Sequence, residues 1–182
     1  MKIKTLVIFL VFCVTASVLT AAPNPPNKNK IGFGVLLIYD AEDIHLPPTA
    51  ALVVSPSLNT HLAMNWFIGE KTNIFNFTFD YNLLTLPIIS SGKMSLGLTL
   101  GAGVFFDMEF AKDTGKGKKS KKADHEFYGG VRIPAGVSLM LGKKTVEIFA
   151  YIAPSYRVQF VPALDFSNHF FPAAVGARFW LG

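Results

Sequence analysis

The chain has 182 residues, enough for one domain, with a formal net charge of +5 and a mean hydropathy of +0.38. That hydropathy is high for a water-soluble chain, yet past the N-terminus no run reaches the roughly 18 apolar residues of a membrane helix. The positive charge is not spread over the chain: two lysines sit at the extreme N-terminus and six more share one loop, a basic tract for which the export signal at the N-terminus argues against a nucleic-acid partner.

The N-terminus has the three parts of a secretory signal. Lys2 and Lys4 supply a charged head, Leu6 to Leu19 an apolar core, and Thr20-Ala21-Ala22 a small-residue exit. The signal peptide is therefore placed at residues 1–21. The only cysteine, Cys13, lies inside it, and Phe12 before that cysteine excludes a lipoprotein cleavage box. The exported chain then has no thiol, so no disulfide holds it together. Residues 22–30, with Pro23, Pro25 and Pro26, read as a flexible leader.

From residue 31 the pattern changes to strict alternation, the signature of β-strands with two unlike faces. A first strand spans 31–39, with Gly32 and Gly34 against Ile31, Phe33 and Val35. A second, weakened by Pro56, covers 50–58, and a third covers 60–67. The fourth, 73–82, is the clearest: Phe75, Phe77, Phe79 and Tyr81 share one face, and Asn76, Thr78, Asp80 and Asn82 the other. Residues 84–93 then connect to a fifth strand, 95–104, which sets Leu96, Leu98, Leu100, Ala102 and Val104 against Ser95, Gly97, Thr99, Gly101 and Gly103. A sixth follows at 127–139, the Gly142-Lys143-Lys144 turn leads into a seventh at 146–155, and a last strand covers 170–180.

Eight strands and no convincing helix make an all-β chain, read as an eight-stranded antiparallel transmembrane β-barrel over residues 31–182. The alternation alone fits either a soluble sheet with an apolar core or a barrel with its apolar face in lipid. Two observations favour lipid. No lysine falls within any strand, and the less apolar face carries Gly, Ser, Thr, Asn and aromatic rings rather than freely mixed charge. Small residues on that face suit the inside of a narrow barrel, while Tyr39, Trp66, Tyr81 and Phe179 suit an interfacial girdle. With both termini periplasmic, the stretches 40–49, 69–72, 110–126 and 159–168 fall outside the cell.

The inner face also carries four mid-strand charges, Asp80, Arg132, Glu147 and Arg178. Buried charges are costly unless paired, so these four are expected to form an interior ion-pair network that plugs the lumen. The loop 111–125 concentrates Lys112, Lys116, Lys118, Lys119, Lys121 and Lys122. It serves either as a solvated loop or as a patch for an anionic ligand or host protein. The histidines at 45, 61, 125 and 169 are scattered, with no Ser and carboxylate at a recognisable spacing. No metal-ligand spacing or phosphate loop appears either, so neither an enzyme nor a cofactor is expected. The functional expectation is a monomeric outer-membrane, cell-surface protein contacting lipid around its wall. Its role would be structural or adhesin-like, through the outer loops. The alternatives are a soluble, periplasmic, lipocalin-like barrel holding a small apolar ligand, or a narrow pore.

Four segments in order carry a resemblance: Leu96-Gly97-Leu98-Thr99-Leu100-Gly101, then Gly130-Val131-Arg132-Ile133-Pro134-Ala135-Gly136, then Glu147-Ile148-Phe149 through Pro154, then Gly176-Ala177-Arg178-Phe179-Trp180. Together they resemble the small OmpA-like outer-membrane barrels, particularly a spirochaetal family. The resemblance covers about the last half of the chain, and it implies an eight-stranded barrel whose surface loops meet the host. Departures are the loosely matching first half and the ending Trp180-Leu181-Gly182, where such barrels usually close on an aromatic residue.

Overall fold

The computed structural model describes residues 30–40, 48–68, 72–111, 125–142 and 145–182. The expected signal peptide, most of the leader and the six loop lysines lie outside the described residues. Eleven strand segments follow in order: β1 (Ile31–Asp40), β2 (Thr49–Ser57), β3 (Thr60–Ile68), β4 (Thr72–Ser90), β5 (Met94–Ala111), β6 (His125–Arg132), β7 (Ala135–Leu141), β8 (Val146–Ile152), β9 (Ser155–Val161), β10 (Asp165–Phe170) and β11 (Pro172–Leu181). They build eight strands, because β6–β7, β8–β9 and β10–β11 are each one strand interrupted beside a proline.

Those prolines, Pro134, Pro154 and Pro172, cannot donate to a ladder. Their carbonyls still accept from the next strand over, with Gly101 N to Pro134 O at 2.7 Å, Ile133 N to Pro154 O at 3.0 Å and Ala153 N to Pro172 O at 2.8 Å. Three neighbouring strands thus share one seam at which pairing weakens without parting.

Every strand pairs antiparallel with both neighbours in sequence, and β1 pairs with β11, so the sheet is a closed eight-stranded barrel. The register runs Gly34, Val53, Ala63, Thr78, Phe105, Gly130, Arg157, Asn168. Asn168 precedes Pro172, the partner of Asp40. One circuit therefore returns to the first strand about ten residues above its start, the stagger that closure of a tilted sheet demands. An eight-stranded barrel is just wide enough for side chains to fill.

The two faces are inverted relative to a soluble protein. Leu52, Trp66 and Phe179 point outward and are 60, 66 and 59 % exposed, whereas Asp80, Asp107, Arg132, Glu147 and Arg178 are buried inside. Among the described residues, the outward strand positions carry no Lys, Arg, Asp or Glu. This is the apolar-out, polar-in alternation of a membrane-spanning barrel.

Glycines on the inner face decide how the filling side chains lie. Arg178 crosses Gly34, its direct cross-strand partner, and a Cβ there would fall 2.6 Å from Arg178 Cγ and 2.1 Å from the Ala177 carbonyl oxygen. Gly103 sits between Asp80 on β4 and Arg132 on β6, and a Cβ there would fall 2.0 Å from Asp80 Oδ1. The wall is thinned where the plug needs to lean on it.

Four sequence expectations are corrected. Residues 84–93 do not form a connection: β4 runs on to Ser90, β5 begins at Met94, and only Ser91, Gly92 and Lys93 turn. Register shifts between Asn82 and Leu84 and between Pro87 and Ile89 absorb the broken alternation that made this stretch look like a loop. β5 continues to Ala111, and β6 starts at His125, inside the expected outer loop 110–126. The expected loop 159–168 reduces to 162–164, because β9 reaches Val161 and β10 starts at Asp165. The second strand is fully formed over Thr49–Ser57. A register shift against β3 between Val54 and Ser57 accommodates Pro56.

Gly34→Ala is expected to destabilise the folded barrel by about 1–3 kcal/mol through overpacking against Arg178 and the β11 backbone. Gly92→Ala, in the β4–β5 turn, meets no atom within 4 Å and should stay within about 0.5 kcal/mol. Urea unfolding of the two variants refolded in detergent compares them, and coincident midpoints would contradict the packing account.

Candidate functional site: the filled barrel interior

The interior is organised in three layers. In the lowest, Arg178 on β11 and Glu147 on β8 are direct cross-strand partners. The guanidinium grips the carboxylate through two bonds, Nε to Oε2 at 3.0 Å and Nη2 to Oε1 at 2.9 Å, a fork geometry stronger than a single contact. Ser138 Oγ donates to Glu147 Oε1 at 2.6 Å, and Trp180 Nε1 donates to Oε2 at 2.8 Å. The carboxylate thus accepts four hydrogen bonds, which is what offsets its removal from water. Arg178 and Glu147 are each 4 % exposed.

The remaining arm of Arg178 reaches across the lumen. Its Nη1 donates to Ser55 Oγ at 2.8 Å and points at His61 Nδ1. His61 also lies 2.9 Å from Ser55 Oγ and, through Nε2, 2.9 Å from the Asn82 amide. The guanidinium stacks on the Phe149 ring at 4.4 Å and the Trp180 ring at 5.2 Å. One arginine therefore ties β11 to β8, β2 and β3.

Ser, His and Asn in a hydrogen-bonded chain could suggest a nucleophile with its base. Ser55 is 0 % exposed and has Arg178 over its oxygen. A nucleophile must reach substrate, so this cluster works as a brace.

In the middle layer Arg132 Nε lies 3.1 Å from Asp80 Oδ1. The two atoms are close but poorly aligned, and neither finds a hydrogen-bond partner among protein atoms; nor does Arg132 Nη2. The pair is held by charge, with Tyr151 under the guanidinium at 5.3 Å. Between these two layers lies a cavity of about 40 Å³ lined by His61, Asp80, Asn82, Ser138, Glu147, Tyr151 and Arg178 among others. A space of that size takes a few water molecules and no larger solute.

The upper layer escaped the sequence reading. Asn76 donates to Asp107, and Arg157 stacks over Tyr128 at 4.3 Å and Phe170 at 5.7 Å. Phe105 meets Phe170 edge-on at 5.2 Å, and Tyr128 donates its hydroxyl proton to Glu126. Asp107 and Arg157 lie beyond the expected ends of the fifth and seventh strands, on β5 and β9. The alternation itself continues, with Phe105 and Asp107 against Phe106 and Met108, and would have revealed them.

Of the charges singled out in the sequence, Asp80 meets Arg132 and Glu147 meets Arg178, as two separate pairs in adjacent layers. His61 joins the lower one. His125 and His169 are exposed at the upper rim, His169 beside the Tyr156 ring at 5.9 Å. His45 and the lysines at 112, 116, 118, 119, 121 and 122 lie outside the described residues. Tyr39, Trp66 and Phe179 all face outward with large exposed surfaces.

Removing one member of the lower pair strands a buried charge. Arg178→Met is expected to cost about 3–5 kcal/mol, and adding Glu147→Gln should recover part of that by removing the orphaned charge. The shift in temperature at which the folded gel band disappears measures both variants, and a double variant no better than the single one would count against the pairing.

No family model matches the chain, and no curated protein matches it. Among solved structures it is similar to the N-terminal β-barrel domain of OprF from Pseudomonas aeruginosa, with a TM-score of 0.52 and 11 % identity over 84 % of this chain and 98 % of that domain. It also aligns with Ail, the attachment invasion locus protein of Yersinia pestis, with a TM-score of 0.39 and 12 % identity over 84 % of this chain and 95 % of that one. The likeness to the OprF domain is one of fold: a closed eight-stranded antiparallel barrel.

Proposed function

We propose that this chain is an exported outer-membrane barrel whose lumen is a structural plug and whose function lies in the segments it presents outside the cell. The observation that carries this reading is the inversion of its two faces. Among the described residues, an uncharged apolar wall surrounds an interior that buries the Asp80–Arg132 and Glu147–Arg178 pairs, with about 40 Å³ of free space between them. A lipocalin-like cup for an apolar ligand calls for an apolar lumen, and this one is charged and filled. The ordered motifs from Leu96 onward, which resemble a spirochaetal family of OmpA-like barrels, support a surface-interaction role.

The lysine-rich loop 111–125 is the segment to which we assign recognition of an anionic partner, such as a sulfated glycan, a lipid phosphate or an acidic host protein. Multiple lysines on one loop raise the local concentration of such ligands and make binding fall with salt.

Reconstituted into planar bilayers, the protein should show no conductance above leak; steady channels would overturn the plug. Replacing Lys112, Lys116, Lys118, Lys119, Lys121 and Lys122 by Gln should abolish salt-sensitive retention of intact cells on immobilised heparin while leaving the folded gel band unchanged. Undiminished retention would remove the loop from the proposal.

A further inference from the structure

At the end of the barrel that holds the turns 58–59 and 91–93, neighbouring strands finish nearly level, with one exception. Ile31 on β1 faces Leu181 on β11, Leu141 on β7 faces both Val146 on β8 and Met94 on β5, and Ser90 on β4 faces Ser95 on β5. β3 stops far short of its neighbour β4. It begins at Thr60, opposite Tyr81, and the last backbone bond across that seam runs from Asn82 N to Asn59 O at 2.7 Å. The stagger that the circuit accumulates is therefore released in one step, between β3 and β4. From Leu83 to Ser90, β4 has β5 on one side and, among the described residues, no strand or backbone hydrogen bond on the other.

The free stretch has two unmet needs at once. Its open side presents unpaired N–H and C=O groups, which lipid cannot satisfy. Its side chains are apolar: Leu84, Leu86, Ile88 and Ile89 are between 46 and 54 % exposed, and no charge occurs from Leu83 to Gly92. Thr85 and Pro87 are exposed as well, so both faces of the strand lack cover. Water would satisfy the backbone and leave the leucines and isoleucines uncovered; lipid would do the reverse. An added strand with apolar side chains satisfies both. Pro87 belongs to such a position, because proline within a sheet is confined to edges and bulges.

We propose that β4 from Leu83 to Ser90 is a docking edge for an extended segment of another protein, added antiparallel in the lane that β3 leaves open. The site lies at the end of the barrel opposite the lysine-rich loop and is independent of it. The register states the partner's chemistry. Its segment alternates apolar side chains, beside Leu84, Leu86 and Ile89, with small or polar ones beside Thr85, Pro87 and Ser90. An acidic residue at its N-terminal end meets exposed Lys93 in the adjoining turn. The chain's own leader does not fit, because Pro23, Pro25 and Pro26 cannot donate to a ladder. A second copy offering the same edge would have to run antiparallel to it, which turns one barrel upside down in the membrane; only this exclusion rests on the membrane reading above. The register shifts beside Leu84 and Ile89, with Pro87 between them, bend and interrupt the edge. It therefore accepts a short segment and resists open-ended aggregation.

The probe is a synthetic peptide as long as the free edge, alternating Thr and Val, with Asp at its N-terminus and one central Cys. Leu86→Cys on the free edge is compared with Leu52→Cys, which is also outward and exposed but lies on β2 between two paired strands. Both are made in a chain with Cys13→Ser, folded in detergent and checked by the heat-modifiable gel band. Oxidation by glutathione disulfide should join the peptide to a majority of the Leu86→Cys chains and to several-fold fewer of the Leu52→Cys chains. A peptide methylated at its backbone nitrogens keeps its side chains and loses its ladder donors, and it should react several-fold less at Leu86→Cys. In the chain without cysteine substitutions at the edge, the first peptide should slow amide exchange several-fold within Leu83–Ser90 and leave Thr49–Ser57 unchanged. Equal yields at the two positions, no adduct at Leu86→Cys, equal reaction of the methylated peptide, or unchanged exchange in Leu83–Ser90 would each overturn the proposal. Recovery of the chain in aqueous buffer without detergent would instead defeat the membrane reading, and the peptide yields would still decide the edge.

Discussion

Closure is the constraint on which the rest of this molecule depends. Eight strands joined edge to edge leave no unpaired backbone around the middle of the barrel wall, but they enclose a lumen only about as wide as the side chains that must fill it. Because the outside is apolar, the polar side chains that specify the fold have to meet one another inside. Arg178 alone connects four of the eight strands through Glu147, Ser55 and His61. The glycines of the inner face are the counterpart of that crowding. They lie under the residues that cross the lumen, so side-chain size on one strand is set by reach on the next.

The interior pairs are better understood as devices for register than as sources of net stability. A buried ion pair seldom outperforms a well-packed apolar replacement. A one-residue slip of β11 past β8, however, would move Arg178 from Glu147 into the lipid face and reverse every side chain with it. Glu147, with four donors around it, leaves little room for such an error. The Asp80–Arg132 pair is looser in geometry, and its Asp80 borders a small cavity between the two layers.

The alternation of residues 73–82 and 95–104 made the strand count and the two faces legible, and the charges at 80, 132, 147 and 178 were legible as interior because they interrupt an otherwise uncharged pattern. Which charge meets which was not, since Glu147 and Arg178 are 31 residues apart and Arg178 and Ser55 are 123. Their meeting depends on stagger, a property of the closed sheet. The lower half of β4 was also hidden, because the bulges near Leu84 and Pro87 break the period by which strands are recognised, whereas the upper half of β5 keeps that period.

By itself the sequence determined a closed container: strand faces, inward charges and the absence of lysine from the wall all follow from side-chain period, which is local chemistry. Only the tertiary structure decided how the container is filled and shaped. Pairing across the lumen, the three layers and the proline seam arise from register between strands far apart in the chain. Register is fixed when the barrel closes, and no local pattern records it.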